Sequence, residues 1–316
     1  MKTYLRVITG TAVLALLSSS LSYAWNDRGH MIMAAVAYGK LTQKTKNRVD
    51  ELLRLNPDSE NWAKLIPPDT PASRKKLLIF MFAATWSDRI KSNPDYHVDG
   101  SRNGNRPPDD SSASQNIGYA DHALHKYWHF EDQPFTRDNT PLPVFPSPNL
   151  RTQIATFRQV LASSKPDSLK SYDLSWLLHL VGDAHQPLHF ATRVSATHPD
   201  GDDGGNGVLL KDSGAANVHS FWDQVLGDDD SAMRALTAAS GLPNPSFAAA
   251  NDLDLNHWAK ESLTIAEQSV YKNPIGPGAG PFTLTKTYTA DALRVARGRI
   301  ALAGARLAKM LNEELK

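Results

Sequence analysis

Apolar residues recur at three- and four-residue intervals over eight stretches of the chain. This spacing predicts helices over Asp27 to Tyr38, Gln43 to Leu55, Ser73 to Ile90, Leu150 to Ala162, Ser171 to His185, Ala232 to Ser240, Asn256 to Tyr271 and Thr289 to Leu315. Strand-like alternation is scarce; one short strand is expected at Val208-Leu209-Leu210, after the glycine-rich turn Gly204-Gly205-Asn206-Gly207. The expected fold class is all-α, a single mainly helical domain. The arginines of the last helix, Arg294, Arg297, Arg299 and Arg306, read as an outward, solvated face. Between the helices lie stretches rich in Pro, Gly, Asp, Asn and Ser at 91–115, 133–149, 195–217 and 272–281. Loops of this length in a compact domain are commonly functional, so they are expected to wall a site.

The first residues follow a different pattern. Lys2 and Arg6 precede an apolar run from Val7 to Leu21 and then Ser22-Tyr23-Ala24, the order of an export leader with small residues before its cleavage point. The run is too short and too close to that point to read as a membrane span. Residues 1–24 are therefore expected to be a signal peptide, and 25–316 the working domain, secreted or periplasmic, without stable membrane insertion and monomeric.

Composition narrows the chemistry. The chain has no cysteine, so no disulfide and no thiolate metal site is available, and any metal must be held by nitrogen and oxygen. Without the leader's two basic residues, the 34 Lys and Arg fall just below the 33 Asp and Glu, a formal charge of about −1. Such a balance supplies little long-range attraction for a polyanion, so a nucleic-acid substrate would have to be held by local side chains and bound cations.

Candidate chemistry is densest in the run His179-Leu180-Val181-Gly182-Asp183-Ala184-His185-Gln186-Pro187-Leu188-His189. A separation of four places His179 and Asp183 on one helix face, and Pro187 ends the helix so that His189 can turn back toward them. The same separation recurs in His219 and Asp223. One such pair alone reads as a structural His–Asp hydrogen bond; two pairs with His189 leave metal binding and structure evenly balanced. Asp88 lies at the expected end of the 73–90 helix, where the dipole disfavours a carboxylate and a bound cation would offset the cost. His125 and His129 are also four apart, so spacing does not say which of them would ligate. Cleavage after Ala24 would give Trp25 a free α-amino group, which together with its carbonyl can chelate a metal; a core aromatic is the alternative.

Taken together, Trp25 with His30, Trp86-Ser87-Asp88, Trp128-His129-Phe130-Glu131-Asp132, the run from His179 to His189, and His219 to Asp223 resemble a known pattern. It is that of the trinuclear-zinc, single-strand-specific nucleases typified by the fungal S-one and P-one enzymes and the plant bifunctional nucleases, which also act as 3′-nucleotidases. The match follows the family's order across nearly the whole chain after the leader and is that of a bacterial member. It implies the helical phospholipase C / P-one nuclease fold, with long loops around a cleft for three zinc ions. One zinc would take Asp88, His129, His179 and Asp183; a second the Trp25 amine and carbonyl, His30 and the other oxygen of Asp183; a third His189, His219 and Asp223. A hydroxide bridging the first two would attack phosphorus, giving 5′-phosphorylated products from single-stranded DNA and RNA and removing the 3′-phosphate of nucleotides. Lys91 stands where the family commonly has a phosphate-facing arginine, Phe130 where it stacks a base and Asp132 where it meets a base edge. Asp88, Asp183 and Lys91 are thus the implied catalytic residues, Phe130, Asp132 and Lys91 the implied substrate contacts, and His122, His125 and His185 supporting or structural groups.

The nearest alternative is a zinc-dependent phospholipase C of the same fold acting on phospholipid head groups. That class carries glutamate where this chain has Asp223, and exposed apolar residues around Phe145 or Phe282 would favour it. An exported zinc-binding protein without turnover is a further alternative, predicting saturated sites without open positions.

Overall fold

The computed structural model describes residues 25–315; the expected leader lies outside the described residues. Among the described residues, twelve α-helices carry the fold: α1 (Asp27–Lys40), α2 (Gln43–Leu53), α3 (Ser59–Lys64), α4 (Ala72–Ala83), α5 (Trp86–Arg89), α6 (Leu150–Ala162), α7 (Asp167–Asp183), α8 (Val218–Gln224), α9 (Ala232–Ser240), α10 (Phe247–Asn251), α11 (Leu255–Ile265) and α12 (Lys286–Glu314). Four short strands complete it. β1 (Pro134–Thr136) pairs in parallel with β2 (Thr192–Val194), and β3 (Leu210–Lys211) with β4 (Phe282–Thr283). The all-α class expected from the periodicity is the class observed.

The helix starts are written into short polar residues. The Asn26 side chain accepts from Gly29 N–H, Thr42 from Thr45 and Thr285 from Tyr288, while Asn149 and Asn217 form reciprocal caps with Thr152 and Ser220. Each satisfies donors that a helix leaves open at its first turn. From Ser171 to Asp183, α7 is buried on every face, the signature of a central helix rather than a surface one. It packs on α6, α2 and α12, while α1 packs on α12, α9 and α4. One large apolar cluster, containing Trp86, Trp128 and Trp176, joins these helices. A smaller cluster gathers Leu188, Trp222, Tyr271 and Tyr288. The functional residues come from elements of both.

Two expectations need correction. The predicted helix over 73–90 is broken: α4 ends at Ala83, and α5 restarts at Trp86. The Ala84 carbonyl, which would accept from Asp88 in a continuous helix, instead meets His179 Nδ1 at 2.9 Å. Asp88 consequently lies in the first turn of a new short helix, not at the end of a long one. Second, Arg299 and Arg306 are buried rather than solvated. Arg306 makes a two-pronged pair with Glu261 of α11, both contacts 2.7 Å, and donates to His185 Nε2 at 3.0 Å. Arg299 donates to the His185 carbonyl at 3.2 Å and to Ser262 Oγ at 2.8 Å. These guanidiniums tie α12 to the end of α7, where Asp183 lies.

Candidate metal centre

His30, Asp88, His129, His179 and Asp183 converge although they come from α1, α5, the residue just after the 3-10 turn Lys126–Trp128, and α7. The imidazoles of His30 and His179 stack with centroids 3.8 Å apart. Asp183 Oδ1 lies 3.3 Å from His30 Nε2, while Oδ2 lies 3.1 Å from His129 Nδ1 and 3.3 Å from His179 Nε2. One carboxylate thus faces two imidazole groups with different oxygens. Asp88 Oδ1 is 3.7 Å from His179 Nε2 and 3.9 Å from His129 Nδ1. It also forms a ligand-sized group with His30 and His179, so distance alone does not divide Asp88 from the His30 side.

A second group stands beside the first. Pro187 stops α7 as its sequence requires, and the 3-10 turn Pro187–Phe190 brings His189 back toward the cluster. His219 Nε2 lies 3.4 Å from Asp223 Oδ2, one turn apart on α8. The donor atoms of His189, His219 and Asp223 lie within 4.8 Å of one another. Gln186, whose role the spacing did not reveal, donates from Nε2 to Asp223 Oδ1 at 2.7 Å and so aims that carboxylate. Trp25 is fully buried, and Asn26 N–H donates to the main-chain carbonyl of Asp223 at 3.2 Å, which fastens the start of α1 to α8.

The donor set fits divalent metal. His179, His189 and His219 hold Nδ1 against the carbonyls of Ala84, His129 and Gly204 at 2.9, 2.6 and 2.8 Å. A carbonyl only accepts, so Nδ1 carries the proton and the Nε2 lone pair faces inward, the arrangement by which proteins orient metal-binding imidazoles. His189 Nε2, His219 Nε2, both His30 nitrogens and Asp183 Oδ1 are buried without a hydrogen-bond partner, an expensive state for protein alone. Burial pushes the His179 imidazole down to about 3 and that of His219 to about 4. It also pushes His30, His129 and His189 well below the usual imidazole range, with the Lys91 ammonium adding to it. All five therefore present the neutral, ligating form. Burial drives the Asp183 and Asp223 carboxyls up, with Asp88 adding to both, the stress that a bound cation relieves.

The close fit gives Gly182 a definite job. A Cβ on this residue would lie 2.7 Å from His30 Nδ1 and 2.9 Å from its Cε1. Gly182→Ala is expected to displace the His30 imidazole and weaken the adjoining metal position about 10- to 100-fold, as loss of a positioning partner does, read by competition with a zinc indicator. Unaltered affinity would remove His30 from the ligand set.

The remaining candidates sort by location. Lys91 lies in the 3-10 turn Ile90–Ser92 with its side chain 5% exposed and its ammonium 2.6 Å from Asp88 Oδ1. It faces a cleft of about 520 Å³, together with His129, Phe130, Asp132, His189 and His219. Phe130 is partly exposed on the wall, not a core ring. Asp132 is pushed up to about 8, first by burial and then by Asp203 and Asp202. His125 stays out of the cluster: its nitrogens meet Asp99 at 2.8 Å and Asp121 at 2.9 Å, and its ring stacks on Trp128. Burial works to lower His125, but the two carboxylates outweigh it and hold it above its usual value. His122 is exposed and tilts against Tyr96, and His185 is held by Arg306 and the Val181 carbonyl. Phe282 sits in β4, while Phe145 lines the cleft.

The chain is 30% identical over 182 residues to Endonuclease 4 of Arabidopsis thaliana, covering 50% of this chain and 56% of that protein. It is 31% identical over 176 residues to Endonuclease 5 of the same plant, covering 48% and 55%. The chain spans about half the length of these curated relatives. The model of the S1/P1 Nuclease family matches residues 25–316, starting at Trp25 itself and taking in every side chain of the cluster. This chain therefore belongs to the S1/P1 nuclease family.

Proposed function

We propose that the protein is a zinc-dependent endonuclease that hydrolyses single-stranded DNA and RNA to 5′-phosphorylated products, with 3′-nucleotidase activity. The observation that carries this reading is Asp183, whose two oxygens face imidazoles on opposite sides next to a second buried His–His–Asp group. Three zinc ions are assigned. Asp88, His129, His179 and Asp183 would hold one; the Trp25 amine and carbonyl, His30 and Asp183 a second; His189, His219 and Asp223 a third. Bound zinc lowers the pKa of water from about 15.7 toward about 7 and neutralises phosphate charge. The Lys91 ammonium faces the phosphate as a point charge, without the two-pronged grip of arginine. Phe130 stacks a base, and Asp132 meets its edge. Stacking is worth about 1–3 kcal/mol and tolerates every base, so broad sequence acceptance is expected. A base in a duplex must first leave its own stack, at a cost of a few kcal/mol, which favours single strands. A cleft that opens onto the cluster also speaks for turnover rather than zinc storage.

The test offers the zinc-loaded protein one sequence as single strand and as duplex, and phosphatidylcholine vesicles. Single strands should be cut about a hundredfold faster than duplex, leaving 5′-phosphates. Preferential hydrolysis of phosphatidylcholine would favour the phospholipase C reading instead.

The leader belongs to the same proposal. Removal of residues 1–24 would release the Trp25 amine, and the protein would act in the periplasm or outside the cell. A chain keeping one residue before Trp25 is expected to bind about one zinc fewer and to lose about 10² or more in kcat/KM. Equal zinc content and rate would exclude the amine as a ligand.

A further inference from the structure

The cleft does not end at Phe130. Its far end is formed by the loop around residues 99–107 and by the segment leading into α6, and holds Arg102, Arg106, Lys126 and Phe145. The Arg106 guanidinium lies over the Phe145 ring, 5.3 Å from its centroid. Arg106 lines the same cleft as Phe130 and Asp132, so this end is continuous with the place assigned to the first base.

The far end is built rather than loose. Ser101 N–H donates to the Arg106 carbonyl at 3.0 Å and Arg106 N–H to the Ser101 carbonyl at 3.2 Å, closing the loop on itself. Gly100 takes φ 78°, and a Cβ there would collide with the Arg106 carbonyl oxygen. Lys126 Nζ donates to the Asn103 carbonyl at 3.1 Å and fastens the loop tip. Pro143 and Pro146 flank Phe145 closely and restrict its segment. Cation and ring are therefore placed before any ligand arrives, which lowers the ordering cost of binding.

We propose that Arg106 and Phe145, with Lys126 and Arg102 beside them, form a second nucleotide subsite that holds the nucleotide adjoining the one stacked on Phe130. The proposal rests on the phosphodiesterase reading and deepens it: the protein is tuned to oligonucleotides over mononucleotides. An aromatic face with a planar guanidinium accepts a base of any identity, and the flanking cations accept the phosphate beside it. The same segment exposes Leu142 at 51% and Val144 at 92%, groups that would suit an acyl chain. Three cationic side chains lining one end of the cleft favour a phosphate backbone over a zwitterionic lipid.

The test offers a nucleoside 3′-monophosphate, a single-stranded trinucleotide and phosphatidylcholine vesicles to the zinc-loaded wild type, Phe145→Ala, Arg106→Gln and Phe145→Tyr. Dissociation constants of a phosphorothioate trinucleotide supply a readout independent of turnover. The trinucleotide-to-mononucleotide ratio of kcat/KM should fall about tenfold to a hundredfold in Phe145→Ala and Arg106→Gln, with matching loss of affinity, and be kept by Phe145→Tyr. Equal losses on both substrates, or an unchanged ratio in an active protein, would overturn the subsite alone. Variants that lose only phosphatidylcholine hydrolysis would give this end to lipid and overturn it as well. A wild type inactive on both nucleotides would overturn the phosphodiesterase reading and the subsite with it.

Discussion

Asp183→Asn is expected to lower kcat/KM on single-stranded DNA by about 10³-fold or more, beyond the roughly 10–100-fold that follows loss of a group merely orienting a ligand. The amide keeps the shape of the side chain but replaces an anionic oxygen with an N–H₂ donor. That donor would point into imidazole lone pairs, because the two Asp183 oxygens face His30 on one side and His129 with His179 on the other. On the proposed three-zinc assignment, two metal positions would be damaged by one substitution. The group of His189, His219 and Asp223 does not include Asp183, so zinc content should fall from about three toward about one rather than to zero. The measurement is metal analysis of the purified variant beside its rate, with circular dichroism to show that the fold persists. Full zinc content with full activity would remove Asp183 from the bridging role.

Chelation should destabilise the protein as strongly as it silences it. With metal bound, the buried carboxylates and inward lone pairs are satisfied; without it, they are the polar groups that burial penalises. A metal present at about 1,000 times its dissociation constant contributes about 4 kcal/mol per site. For a chain of this size each kcal/mol moves the midpoint by about 2 °C, so loss of all three proposed ions should lower Tm by about 20–25 °C. Re-addition of zinc should restore both midpoint and rate. Calorimetry with and without chelator checks this, and an unmoved midpoint would show that the cluster contributes nothing to stability.

Where sequence and structure agree, and where they part, has a physical pattern. Helices with a long apolar period, such as α6 and α9, are found at the residues the spacing indicated, because 3.6-residue periodicity is a local property. The short helices α3 and α10 carry too few residues to show a period. The break between α4 and α5 is not local at all: His179, far away in sequence, takes the Ala84 carbonyl. Burial of Arg299 and Arg306 is likewise decided by Glu261 on α11 and His185 in the turn after α7. His125 and His129 could not be separated by their spacing, and only Asp99 and Asp121, brought in by loops, settle that His125 is held apart. The His–Asp intervals on α7 and α8 and the proline stop between them account for His179, Asp183, His189, His219 and Asp223, whereas His30, Asp88 and His129 reach the same place from elements whose approach no spacing indicated.

The most direct measurement of the central claim is anomalous diffraction at the zinc edge from crystals of the chain beginning at Trp25. Three peaks are expected: one amid Asp88, His129, His179 and Asp183, one against His30 and the chain's first residue, and one amid His189, His219 and Asp223. An active protein whose cleft shows no such peaks, or whose zinc sits elsewhere, would contradict it.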